Sequence, residues 1–193
     1  MENKIILISG SPRSRGNTIQ VLEVCAKIIE DLGVETELIS LADKKILACT
    51  ACYKCEEEPK CSLNDDLNKI INKIRSAKGL IIGTPIYFGT ARGDLLNLVQ
   101  RMGMVSICSD NYLTGKIGGP ITIARHSGYT LPLNEILNLY RICKMIVPDT
   151  LYPQNVVGRI PGEALNDIEG INSVSHFVEN VAKIIKENKI NIS

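Results

Sequence analysis

The chain has 193 residues, 45% of them hydrophobic and 22% charged, the size and composition of one globular domain and not of a disordered chain. Lys plus Arg number 22 against 21 Asp plus Glu, a net charge of +1, so the basic excess of a nucleic-acid binder is missing. No apolar run approaches the roughly 18 residues that cross a bilayer. The N-terminal MENKIILISGSP has no apolar segment ending in a small-residue cleavage site; the expectation is a cytoplasmic protein, with neither membrane nor nucleic acid as partner.

Lys4 to Ser9 (KIILIS) predicts a strand buried on both faces, as in a parallel sheet. Asn17 to Leu32 predicts a helix with Ile19, Leu22, Cys25, Ile28, Ile29 and Leu32 along one stripe, ended by Gly33. Val34 to Leu41 is a second strand. A cysteine-rich loop runs from about Asp43 to Cys61, and a helix from Asn64 to Ala77 has Asp65 and Asp66 in its first turn, where the helix dipole favours them. Gly79 to Thr84 is a third buried strand, Ala91 to Arg101 a helix, Ile117 to Ala124 a fourth strand, Leu133 to Lys144 a helix, and Met145 to Val147 a short fifth strand. Pro148 to Gly162 is expected as loop and Gly170 to Asn188 as a closing amphipathic helix. This alternation builds an α/β fold: a doubly wound, five-stranded parallel sheet with the flavodoxin-like strand order, and one domain over residues 1–193. Ligands of such a sheet sit beyond the carboxyl ends of the strands, so the loops after strands one, three and four come into question.

The first of these reads Ser9-Gly10-Ser11-Pro12-Arg13-Ser14-Arg15-Gly16-Asn17-Thr18. A helix N-terminus with hydroxyls, two arginines and close-approach glycines around it suits a phosphate; the plainer alternative is a strand–helix turn capped by Asn17. No Walker loop or G-x-G-x-x-G fingerprint is present. The loop after strand three, Thr84-Pro85-Ile86-Tyr87-Phe88-Gly89-Thr90, sets two aromatics side by side, where a flat ligand needs apolar cover; alternatively both are core. After strand four comes Arg125-His126-Ser127-Gly128-Tyr129-Thr130.

Cysteines are concentrated between these loops. Disulfides are rare in the cytoplasm, so clustered thiols there point to metal or redox chemistry. Four of the seven form C-x2-C-x2-C-x5-C at Cys49, Cys52, Cys55 and Cys61. Four soft thiolates in one loop suit zinc or an iron–sulfur cluster. Successive x2 spacings are closer to the ferredoxin run than to paired zinc knuckles, which favours one [4Fe–4S] centre over a zinc staple. Cys25 and Cys143 fall on apolar helix faces and are expected to be plain core. Cys108 is placed in a loop, His176 is read as structural, and Glu56, Glu57 and Glu58 as a solvated turn.

The segments Ser9 to Thr18 and Pro85 to Thr90 resemble the phosphate and isoalloxazine loops of the flavodoxin-like FMN reductases. With the cysteine run after strand two, the chain resembles the iron–sulfur flavoprotein family. That resemblance implies FMN held by Ser9, Ser11, Pro12, Arg13, Asn17 and Thr18 at its phosphate, with Pro85, Ile86, Tyr87, Phe88 and Gly89 around the ring and Ser127 and Gly128 beside it. It implies a [4Fe–4S] cluster on Cys49, Cys52, Cys55 and Cys61, with ferredoxin or a similar redox protein as donor and a small-molecule electron acceptor. A homodimer or homotetramer is implied as well, the cluster of one subunit lying near its neighbour's flavin. The expected function is electron transfer by an FMN-dependent oxidoreductase with no acid–base catalytic group. The alternatives are an NAD(P)H-dependent FMN or quinone reductase with structural zinc, and a non-enzymatic redox sensor.

Overall fold

The computed structural model describes residues 2–187. Strand β1 (Glu2–Ser9) buries Ile5 to Ile8 completely, each such side chain contributing roughly 1.5–3 kcal/mol. Strand β2 (Glu35–Ser40) pairs parallel to one edge of β1, and β3 (Ala77–Tyr87) to the other. Beyond β3 lie β5 (Ile117–Ala124) and then β6 (Asn155–Val157), both parallel, giving the order β2-β1-β3-β5-β6. The two-residue strand β4 (Thr90–Ala91) folds back antiparallel on the end of β3. The expected doubly wound order is present, and the order in which strands are added to the sheet reverses between β1 and β3.

Side chains alternate across the sheet. Ile5, Leu7, Ile81 and Ile121 pack on helices α1 (Asn17–Asp31) and α5 (Ile168–Glu187). Ile6, Ile8, Leu80 and Ile82 pack on α2 (Leu67–Ser76), α3 (Gly93–Cys108) and α4 (Thr130–Ile142). Among the described residues no helix is long and apolar enough to cross a membrane.

Several boundaries differ from expectation. Helix α2 begins three residues late, so Asp65 and Asp66 precede it; Asp65 is taken up by a buried ion pair with Arg101. Strand β3 continues through Pro85, which pairs with Ile123 past the last β1 partner, Gly83. Proline is tolerated at that sheet end because β1 has already stopped. Helix α3 runs to Cys108, which is helical and not in a loop. Helix α4 starts before Pro132, whose missing N–H falls in a first turn that has no partner to lose. The fifth parallel strand is Asn155–Val157 and not Met145–Val147; Ile146 makes one bridge to Ile117 before Pro148 ends the run. The expected last helical residue, Asn188, lies outside the described residues.

Candidate functional site

At the carboxyl ends of β1, β3 and β5 the chain opens a cleft of about 450 Å³. One end is the β1–α1 loop. Gly10 N donates to Gly83 O at 2.8 Å, drawing the loop over the sheet edge. Ser11 Oγ accepts from Arg13 N at 3.1 Å. Gly16 precedes α1 and no side chain caps the helix, so its first N–H groups remain available to an anion. Ser11, Arg13, Asn17 and Thr18 line this end. Pro12 is exposed and lies off the cleft wall. Ser9 is wholly buried at the end of β1, also off the wall, with its Oγ unpartnered.

Asn17 is not the helix cap. Its Nδ2 donates to Gly158 O at 3.0 Å and its Oδ1 accepts from Gly162 N at 2.8 Å. It thereby pins the segment after β6 across the cleft, where Gly158, Arg159, Ile160 and Pro161 form the far wall. Glu163 finishes that turn by accepting from Arg159 N and Ile160 N at 2.6 and 2.9 Å. The Ile160 and Arg159 N–H groups hold its carboxyl below the usual carboxylate range. These wall residues escaped the sequence reading; the available signal was Val156-Val157 followed by Gly-Arg-Ile-Pro-Gly, a strand ending in turn residues.

At the other end Pro85, Ile86 and Tyr87 line the cleft with Ile123 and Arg125. Tyr87 and Thr90 face each other across the two-residue turn Phe88-Gly89, with φ of 50° and 77°. Two positive φ values make this the tight hairpin turn suited to twisted strands. It leaves Tyr87 41% exposed and Phe88 fully exposed, so neither is core. Phe88, Gly89 and Ser127 line an adjoining hollow of about 380 Å³ with Arg125 and His126. Gly128 stands against Gly89, a Cβ there coming 3.8 Å from Gly89 Cα.

The cysteine segment after β2 has one 3-10 turn, Lys54–Glu56, and two residues in left-handed conformation, Ala51 and Tyr53. Cys49 and Cys52 are exposed, Cys55 and Cys61 half-buried, and none is in a disulfide. All four line one small cavity, of about 30 Å³, floored by Arg101, Met104 and Val105 of α3. Among the described residues no three His, Cys, Asp or Glu side chains converge as a ready-made metal site. The donor chemistry nevertheless fits a soft metal centre, since four free thiols of one loop face the same space.

Individual cysteines meet different neighbours, and Cys49 Sγ accepts from Ala51 N at 3.5 Å. Cys52 Sγ lies 3.3 Å from Ser62 Oγ, a contact that lowers its thiol pKa. Cys61 N donates to Asn68 Oδ1 at 2.9 Å and Cys61 O accepts from Asn68 Nδ2 at 2.7 Å. Arg101 Nη2 donates to Cys61 Sγ at 3.1 Å. Burial first, and then the neighbouring Cys108, raises the Cys55 thiol. Cys25 and Cys143 are buried core, and His176 stays on α5 beside Asn180.

The chain belongs to the family described as NADPH-dependent FMN reductase, which matches residues 3–154; it is an FMN-dependent oxidoreductase whose work is flavin-linked electron transfer. Within that family it falls among the iron–sulfur flavoproteins. It is similar to one from Methanocaldococcus jannaschii, 36% identical over 190 residues that span 95% of this chain and 97% of the relative. It is also similar to one from Archaeoglobus fulgidus, 30% identical over 200 residues that span 96% and 97%. In fold it resembles a WrbA-like flavodoxin of Agrobacterium tumefaciens, with a TM-score of 0.66 at 14% identity, covering 98% of this chain and 100% of that one.

Proposed function

We propose that this protein binds FMN in the cleft and a [4Fe–4S] cluster on Cys49, Cys52, Cys55 and Cys61, and transfers electrons from a ferredoxin or similar redox protein to a small-molecule acceptor. When bound, such a cluster exchanges one electron and FMN one or two, which joins a one-electron donor to a two-electron acceptor. The observation that carries the reading is that all four cysteines of the run line one cavity in a chain of the FMN reductase family.

The chain's own groups have separable tasks. Ser11, Thr18 and the uncapped N-terminus of α1 receive the phosphate, while Arg13 adds positive charge. Ser9 and Pro12 shape the loop that carries them. Asn17 holds the far wall in place. Pro85, Ile86, Tyr87, Phe88 and Gly89 cover the ring, with Ser127 and Gly128 alongside. No side chain is assigned a proton transfer. A homodimer or homotetramer is part of the same proposal, carried by the likeness to the iron–sulfur flavoproteins.

The test is anaerobic rapid mixing. Reduced ferredoxin should bleach the flavin of the wild type, and Cys52→Ala should slow that bleaching at least about tenfold while keeping its FMN. Equally fast bleaching by NADPH in both proteins would favour a second reading, an NAD(P)H-dependent FMN or quinone reductase with zinc in the cysteine loop. The family's description and the open hollow beside Phe88 are what support that second reading.

A further inference from the structure

The cysteine segment is closed at its base by a buried ion pair on α3. The Arg101 side chain is 1% exposed and that of its partner Asp65 0%. Arg101 Nη1 donates to Leu47 O, just before the first cysteine, at 2.9 Å, and Nη2 donates to Cys61 Sγ, the last one, at 3.1 Å. The same fork grips both Asp65 oxygens, Oδ1 at 3.1 Å and Oδ2 more closely. Asp65 in turn accepts from Leu47 N at 2.8 Å and Leu67 N at 3.1 Å. Arg101 Nε is buried with no partner.

Stability alone is a poor reason for this arrangement. Burying two charges costs more desolvation than an apolar pair of the same size, and such pairs are often neutral or unfavourable. Leaving Nε unsatisfied adds to the cost. Arg101 occupies the floor of the cavity that the cysteines line, and of the four only Cys61 receives its guanidinium among the described contacts. A donor hydrogen bond to a cluster sulfur is one of the levers by which a protein sets cluster potential.

We propose that Arg101 is the positioning and tuning residue of the cysteine site. It fixes the Cys61 sulfur at the cavity wall and favours the more negative, reduced state of what the thiolates hold, while Asp65 orients the guanidinium and offsets part of its charge. The proposal rests on the reading of the four cysteines as cluster ligands.

Anaerobically purified wild type, Arg101→Gln, Arg101→Lys and Asp65→Asn test it. Iron and sulfide per chain are measured first, then the reduced fraction of the cluster by electron paramagnetic resonance at a fixed solution potential. Arg101→Gln should lower the reduced-to-oxidised ratio about tenfold, which is about 59 mV for one electron. Asp65→Asn should move it the opposite way, and Arg101→Lys, which keeps the charge, should fall between Arg101→Gln and wild type. Should Arg101→Gln not fold, the opposed directions of Arg101→Lys and Asp65→Asn decide the matter. Loaded variants with unmoved ratios, or ratios moved in one common direction, would overturn the proposal alone, as would loss of both iron and folded structure in all three, which marks a purely structural clamp. A wild type without iron and sulfide would overturn the underlying cluster reading and the proposal with it.

Discussion

Asn17 lines the cleft and at the same time carries its far wall. Its two hydrogen bonds to Gly158 and Gly162 span 141 and 145 positions of sequence. Gly158 has no room to change: a Cβ there would sit 2.4 Å from Ala164 N and 2.6 Å from its Cα. Gly158→Ala should therefore displace the far wall, costing roughly 1–3 kcal/mol as overpacking does, and the FMN retained per chain after gel filtration should fall severalfold. Full retention would show that the wall does not matter to the cofactor. Residue roles were unevenly legible. The place of Ser11, Arg13 and Thr18 at the cleft follows from a strand, a Gly-Ser turn and a helix start. Arg101 did carry a signal, since it lies three residues after Leu98 and four before Val105 on the apolar stripe of α3; a charge on such a stripe is buried, but its partners Asp65 and Cys61 are long-range and have no local pattern.

Two elements make predictions of their own. The β3–β4 hairpin puts Phe88 at φ 50°, a left-handed position where a bulky side chain costs on the order of 1–3 kcal/mol. Asparagine suits that turn, so Phe88→Asn should raise the thermal midpoint by roughly 2–4 °C for a gain of about 1 kcal/mol. The same change should weaken FMN binding measured by fluorescence titration; unaltered affinity would remove Phe88 from the site. At the start of β5, Lys116 is fully buried and donates to Ala77 O and, at 3.3 Å, to Arg75 O. Burial, and secondarily Arg75, pushes its pKa down to about 8. Between that value and its unfolded value, about 10.4, the unfolded chain binds the extra proton, so the stability contributed by Lys116 rises with pH. The difference in urea midpoint between wild type and Lys116→Met should grow in the wild type's favour from pH 7.5 to pH 10; a constant difference would contradict the shift. Elements with a strong apolar period, such as β1 and α5, could be read directly from sequence. β6 could not, because a three-residue edge strand following Pro153 has too few residues to set a period, and Met145–Val147 offered a more apolar competitor.

On the scale of the molecule, the alternation of strands and helices was enough to give the sheet order and hence the edge where a ligand must lie. The cleft and the cysteine cavity then follow different logics. The cleft is assembled from four separate loops, so the part contributed after β6 was invisible until the chain was folded. The cysteines come from one continuous loop, so their grouping was visible in the sequence, while the floor beneath them on α3 was not. What the four thiols hold decides the chemistry of the whole molecule. Iron, zinc, acid-labile sulfide and FMN per chain, measured on anaerobically purified protein, should give about four iron and four sulfide with about one FMN. One zinc per chain with neither iron nor sulfide would contradict the account and leave a flavin reductase with a stapled loop.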